Sequence, residues 1–334
     1  MEEYDLVIVG AGPTGLFATF GAGLREINSV TLESLDVVGG QIPKFYPIKM
    51  IYDVGGIPGI TGKELATNLE AQTKIFDKKI IVNSKVSDIR IRDDGKFDVE
   101  VNGNTEYMTR AVLLTTGIGS LLPKKLKVEG EDEYDGKGVC YVIKDLKDFT
   151  GKKVAVIGGG DAGLDMANQI AGVASKILII EFAENLRAAE SSITSLRNGG
   201  KTEIFTRTAV QKILGDGNSV NKITVKDIKS GDIRDIDIDS IVVAIGHDAK
   251  PCVFKSLNLE TFMNRYVKIN GNYETSVPGI FAAGDDCQTK NEIKLGLIAV
   301  GFAEAYAAVD NIKKYLNPTT SLFGSHSTEL KINK

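Results

Sequence analysis

Asp5-Leu6-Val7-Ile8-Val9-Gly10-Ala11-Gly12-Pro13-Thr14-Gly15 and Lys153-Val154-Ala155-Val156-Ile157-Gly158-Gly159-Gly160-Asp161-Ala162-Gly163 decide the fold. The second repeats the first after 148 residues (158 − 10). Each is a short apolar run ending in Gly-x-Gly-x-x-Gly. That arrangement turns a buried parallel strand sharply into a helix whose first amides face a pyrophosphate. One such motif alone is weak evidence, because glycines cluster in ordinary turns. Here the context repeats as well. Small-residue helices follow at Leu16–Leu24 and Leu164–Val173, then apolar strands at Ser29–Leu32 and Lys176–Ile180, closed by Glu33 and Glu181. The spacing from last glycine to acid is the same, 33 − 15 = 18 and 181 − 163 = 18. A carboxylate there accepts the hydroxyl protons of an adenine ribose, and its charge disfavours a phosphate in the same place. The chain thus reads as carrying two dinucleotide sites, as expected of a protein that passes electrons between two cofactors.

A length of 334 residues fits two domains of about 150 each. With 43% hydrophobic and 25% charged residues, disordered and fibrous classes drop out. No apolar run approaches the roughly 20 residues that span a bilayer. The net charge of −4 argues against a general nucleic-acid binder. The acidic start, Met1-Glu2-Glu3-Tyr4-Asp5, leads straight into the first strand, so a cytoplasmic location is expected. Two histidines are too few for a His-rich metal site, and no metal is expected. Cys140, Cys252 and Cys287 are too scattered for a disulfide framework or a zinc site and read as buried small apolar residues.

Between the glycine motifs lie a turn-rich stretch over 39–62, a helix candidate over 62–77, and strands over 80–86, 86–91 and 97–101. Three apolar strands end in glycine: Arg110–Gly117, Ser240–Gly246 and Val277–Gly284, the last running on into Asp285 and Asp286. The first two bracket the second glycine motif. A second nucleotide domain over 117–246, inserted into a first domain of 1–116 and 247–334, is therefore expected. Asp285 is placed to hydrogen-bond a ribityl hydroxyl of a flavin, with a plain turn or N-cap residue as the alternative. The small-residue helix over 296–312 can aim its N-terminus at the same ligand.

With Gly-Ala-Gly-Pro-Thr-Gly, Thr115-Thr116-Gly117, Gly-Gly-Gly-Asp-Ala-Gly and Phe281-Ala282-Ala283-Gly284-Asp285 in this order, the chain resembles the flavoprotein disulfide reductases of the thioredoxin reductase type over its whole length. The resemblance implies an α/β fold of two Rossmann-like domains, each of three ββα layers, with an NAD(P) domain inserted in an FAD domain. It also implies hinges near residues 116–119 and 246–248. Thioredoxin reductases of this type carry a Cys-x-x-Cys pair just after the place marked here by Gly138-Val139-Cys140-Tyr141. In this chain the pair is replaced by Val142 and Asp145, so dithiol exchange through it is closed. The branch lacking the pair comprises the thioredoxin-reductase-like ferredoxin NADP reductases. Ser34–Gln41, Phe45-Tyr46-Pro47 with Ile51-Tyr52-Asp53-Val54, and the tail Gly324-Ser325-His326-Ser327-Thr328 look like that branch.

Carried over residue by residue, the resemblance places FAD against Gly10, Gly12, Thr14, Gly15, Glu33, Gln41, Tyr46, Val86, Leu121, Asp285 and Thr328. Tyr46 stacks on one face of the isoalloxazine and His326 on the other, the tail covering the flavin of the partner subunit in a homodimer. The NAD(P) contacts are Gly158, Gly160, Asp161, Gly163, Glu181 and Arg187. Members using NADPH usually carry a His-Arg-Arg sequence where this chain has Glu181-Phe182-Ala183, so physics favours NADH, although Arg187 or Arg197 can still serve a phosphate. The implied activity is electron exchange between NAD(P)H, FAD and ferredoxin, with no side-chain acid or base required. Lys44, Lys49, Lys124, Lys125 and Lys127 read as a candidate basic face for an acidic ferredoxin or as a solvated lysine-rich loop. An NAD(P)H oxidase or diaphorase without a protein partner, and a flavin redox sensor that turns over poorly, are the alternatives.

Overall fold

The computed structural model describes residues 1–117, 119–250, 255–321 and 328. The chain divides into two units, one of Met1–Ser120 with the chain from Ala249 onward, the other of Leu121–Asp248. The divisions fall a few residues beyond the expected 116/117 and 246/247. The connecting strands Ser120–Pro123 and His247–Lys250 run through them.

In the first unit, β1 (Glu2–Val9) turns into α1 (Pro13–Leu24) and β2 (Ser29–Leu32), with α2 (Gly62–Thr73) and β3 (Asn104–Leu114) following. β1 lies between β2 and β3 and parallel to both, and strand 79–81 extends the sheet beyond β2. Leu6, Val7, Ile8 and Val9 are all buried, the continuous pattern of a strand covered on both faces. The first half of β3 pairs antiparallel with Phe97–Val101, which in turn pairs with Val86–Ile91. Phe97, Val99 and Val101 are buried there while Asp98 and Glu100 are not, the alternation of a half-covered meander. β3 therefore joins a parallel layer to an antiparallel one.

The second unit repeats the plan with β4 (Lys153–Ile157), α3 (Asp161–Ile170), β5 (Lys176–Ile180), α4 (Glu190–Asn198) and β6 (Ser240–Val243). Its parallel sheet runs in the order Val139–Cys140, β6, β4, β5, Thr202–Phe205. A meander of Thr208–Gly215, Val220–Asp227 and Ile233–Asp237 supplies the antiparallel layer. Back in the first unit, β7 (Ile280–Ala282) pairs parallel with the second half of β3, and α5 (Ile298–Leu316) packs on α1. Gly21 faces α5, where a Cβ would make an ordinary contact with Val309 at 3.7 Å.

Several boundaries differ from expectation. The helix expected over 62–77 ends at Thr73, followed by a tight turn over 74–76 and Asp77 at φ +51. The strand expected over 80–86 stops at Ile81, because Asn83 sits at φ +54. α4 and the 208–237 meander were not anticipated. Ser, Thr and Glu crowd α4, and charged residues interrupt the apolar ones along the meander strands.

Candidate nucleotide-binding sites

The two glycine loops are built alike in their main-chain packing. Gly10 has φ +103 and Gly158 φ +121, a region open to glycine and costly for other residues. A Cβ at Gly10 would strike the Thr115 carbonyl at the end of β3, and one at Gly158 the Ala244 carbonyl just past β6. A Cβ at Gly15 would collide with the Gly10 carbonyl oxygen, and one at Gly163 with that of Gly158. The middle glycines behave differently. A Cβ at Gly12 or Gly160 would meet nothing within 4 Å, so the space before each helix is open. Gly12 and Gly160 are also the N-caps of α1 and α3, and neither helix has a side-chain cap. Uncapped first-turn amides facing open space fit a pyrophosphate in each unit.

The acids predicted to hold the riboses lie beside these loops. Glu33 is buried; its Oε2 accepts the Ala11 N–H at 2.7 Å and its Oε1 the Leu35 N–H at 2.8 Å. Glu181, also buried, accepts the Gly159 N–H on Oε2 and the Ala183 N–H on Oε1. A carboxylate has about four acceptor positions, so each acid retains capacity for a ligand hydroxyl. Segment 81–86 runs beside Glu33, tied by Glu33 N to the Ile81 carbonyl at 2.8 Å and Ser84 N to the Glu33 carbonyl at 2.7 Å. That brings buried Val86 to the ribose end of the first loop.

Further toward the ends of β3 and β7 the first unit gathers Thr14, Gln41, Tyr46 and Asp285. Cβ atoms built on Gly284 and Gly301 would press on the Thr14 side chain, and one built on Gly117 would lie 3.5 Å from Gln41 Nε2. Burial, followed by the nearby Asp285 and Asp53 carboxylates, raises the Tyr46 phenol above its ordinary pKa. Burial likewise raises the Asp285 carboxyl. Leu121 belongs to the strand Ser120–Pro123 and to the other unit, its side chain outside the description. His326 lies outside the described residues, and Thr328 is exposed. In the second unit Asp161 opens α3 and its Oδ1 accepts the Ala189 N–H at 3.0 Å, tying the start of α3 to the N-cap of α4. Arg187 is exposed, and its backbone N–H donates to the Gly159 carbonyl at 2.8 Å.

Sequence reasoning missed the buried polar residues behind this ridge. Asp286 accepts the Thr116 N–H at 2.6 Å and the Thr116 hydroxyl at 2.8 Å on Oδ2, while Oδ1 is buried with no hydrogen-bond partner. Burial raises its carboxyl to about 7. Lys294 and Glu304 form a half-buried ion pair, and Glu304 also accepts the Gly284 N–H at 2.8 Å. The doubled acid Asp285-Asp286 and a lone charge within the apolar stretch of α5 were the available signals.

The region of the missing cysteine pair is structural. Asp145 caps a short turn through Lys147 N at 2.9 Å. Burial pushes the Cys140 thiol up to about 11, so it stays protonated and unreactive near neutral pH. Cys252 lies outside the described residues. The proposed basic face is corrected in part. Lys124 pairs with Asp248 at 3.6 Å, Lys125 with Asp132 and with Asp135 at 3.8 Å, and Lys44 with Asp36 at 2.9 Å, so acids already neutralise these three.

The pyridine nucleotide-disulphide oxidoreductase family model matches residues 4–310. The chain belongs to this family. A ferredoxin–NADP reductase of Picrophilus torridus is 48% identical over 99% of this chain and 100% of its own. Ferredoxin–NADP reductase 2 of Sulfolobus acidocaldarius is 38% identical, covering 99% and 98%. Among solved structures, the thioredoxin reductase of T. acidophilum aligns with a TM-score of 0.74 at 28% identity over 94% of this chain and 99% of that one. The family fold is thus the thioredoxin reductase fold. Among the described residues no helix is long and apolar enough to cross a membrane.

Proposed function

We propose that the protein is an FAD-dependent ferredoxin–NAD(P) reductase. The observation that carries this reading is the pair of equivalent glycine loops in a chain whose Cys-x-x-Cys position holds Val142 and Asp145. Full-length similarity to proteins named ferredoxin–NADP reductase supports it. The unit of Met1–Ser120 with the chain from Ala249 onward takes FAD, and the unit of Leu121–Asp248 takes the nicotinamide nucleotide.

FAD, when bound, supplies the exchange between two-electron nicotinamide chemistry and one-electron iron–sulfur chemistry. The residues hold and orient it. Gly10, Gly12 and Gly15 open the loop to the pyrophosphate, Glu33 holds the adenine ribose, and the Val86 backbone faces the adenine. Thr14, Gln41 and Asp285 supply polar contacts, and Tyr46 offers a flat face to the ring system. Gly158, Gly160, Gly163 and Asp161 shape the second loop, whose ribose end is Glu181. Leu121, His326 and Thr328 are proposed flavin contacts from the resemblance alone, as is the homodimer in which a partner's tail covers the flavin. Size-exclusion chromatography with light scattering tests that dimer, and a monomer would refute it.

The functional test is anaerobic cytochrome c reduction by the yellow protein with NADH or NADPH, with and without a low-potential ferredoxin. Ferredoxin-dependent rates support the reductase. Rates that ignore ferredoxin, or vigorous oxygen consumption in air without it, point to an oxidase or diaphorase. Flavin reduction without turnover points to a sensor.

A further inference from the structure

We infer that the second nucleotide site is shaped for an adenosine ribose without a 2′-phosphate, so that it takes NADH in preference to NADPH. This rests on the reductase reading and specifies its electron donor. The chain carries its own comparison for the site. Glu33 binds Ala11 N and Leu35 N; Glu181 binds Gly159 N and Ala183 N. The amide partners are displaced by the same number, 159 − 11, 181 − 33 and 183 − 35 each giving 148, whereas the Ser34 hydroxyl that Glu33 also accepts at 3.2 Å is replaced at the second site by Phe182. Both acids are sealed in, at 4% and 5% exposure. The ribose ends of the two sites are therefore one construction used twice, and the ligand proposed for the first has a ribose with free hydroxyls.

Those hydroxyls donate to the acceptor positions that the amides leave over on the carboxylate. A 2′-phosphate has no such proton to give and sets like charge against a fixed, buried anion. Phosphate recognition calls for an unopposed guanidinium fork. Arg187 lies in the stretch that follows β5, Arg207 follows the next strand, and Arg234 stacks on Phe205 at 4.8 Å. Arg207 is already paired with Glu184. Arg187 is exposed and reaches the glycine loop through its backbone, while Glu181 occupies the ribose position itself.

The test is calorimetric titration of the FAD-loaded protein with ADP-ribose and with 2′-phospho-ADP-ribose. ADP-ribose is expected to bind tighter by about tenfold or more. Glu181→Gln should shrink that ratio while the visible flavin spectrum stays the same, because FAD uses the other loop. Arg187→Ala removes a nucleotide contact shared by both ligands, so any loss of affinity should fall on the two alike and leave the ratio within about twofold. Equal or tighter binding of the phosphorylated ligand, weakened by Arg187→Ala, would overturn the inference. NADPH outpacing NADH in ferredoxin-dependent turnover would also overturn it and leave the reductase reading standing. The expected discrimination without any ferredoxin-dependent turnover would support the inference and sink that reading.

Discussion

Replacing Asp286 by Asn should stabilise the FAD-loaded protein in mild alkali and leave it unchanged in acid. The carboxyl is buried, receives two hydrogen bonds from Thr116 on one oxygen, and has a partnerless second oxygen. Burial lifts it from an ordinary 3.8 to about 7. Below about pH 4 the group is protonated in folded and unfolded chains alike and contributes no difference. Between about pH 4 and 7 the unfolded chain sheds the proton first, so folded-state stability falls as pH rises, and the full loss is reached above about 7. Three units at about 1.36 kcal/mol each give about 4 kcal/mol. Asn keeps an acceptor for both Thr116 donors and mimics the protonated acid at every pH. For 334 residues unfolding together, an entropy of about 0.7 kcal/mol/K converts this to a rise in Tm of about 6 °C at about pH 8. Thermal melts of both proteins across pH 4 to 8, followed by far-ultraviolet dichroism, supply the comparison. Parallel profiles, or an Asn variant that melts lower at about pH 8, would show an ionised Asp286 gripping Thr116 and refute the reasoning.

Three further outcomes follow from the glycine loops and the thiol. Gly15→Ala forces a Cβ into the Gly10 carbonyl and should destabilise the first unit by about 3 kcal/mol or more, whereas Gly12→Ala should fold with an unchanged apoprotein melt yet lose FAD. Equal melts for the two variants would contradict that division. Glu33→Ala strands the Ala11 and Leu35 amides and removes the ribose acceptor; FAD affinity should drop about a hundredfold or more, measured by the ratio of flavin to protein absorbance after dialysis. Cys140→Ser should leave ferredoxin-dependent turnover within about twofold, and the wild-type thiol should resist alkylation at neutral pH. Rapid labelling coupled to loss of turnover would restore a redox role for Cys140.

Local rules reached far along this chain where periodicity and glycine chemistry agree. β4, β5 and the second half of β1 are apolar runs ending at glycines or acids, and their C-terminal limits follow from those residues, whereas β1 already starts at Glu2 by pairing with β3. The matching of Glu33 to Glu181 was visible as a spacing of 18; the matching of their amide partners needed coordinates. The 208–237 meander hid because its charged residues alternate on a surface that only the tertiary fold half covers. Asp286 was read past for a related reason. An aspartate beside Asp285 carries no periodicity of its own, and only the end of β3 shows that it turns back to Thr116.

The most direct test of the central claim is stopped-flow absorbance near 450 nm under strict anaerobiosis. The oxidised protein is first bleached with one equivalent of NADH or NADPH and then mixed with oxidised ferredoxin. Recovery of the flavin band at a rate that rises with ferredoxin concentration and falls with added salt is the expected result. A flavin that bleaches but stays reduced until air is admitted would contradict the assignment.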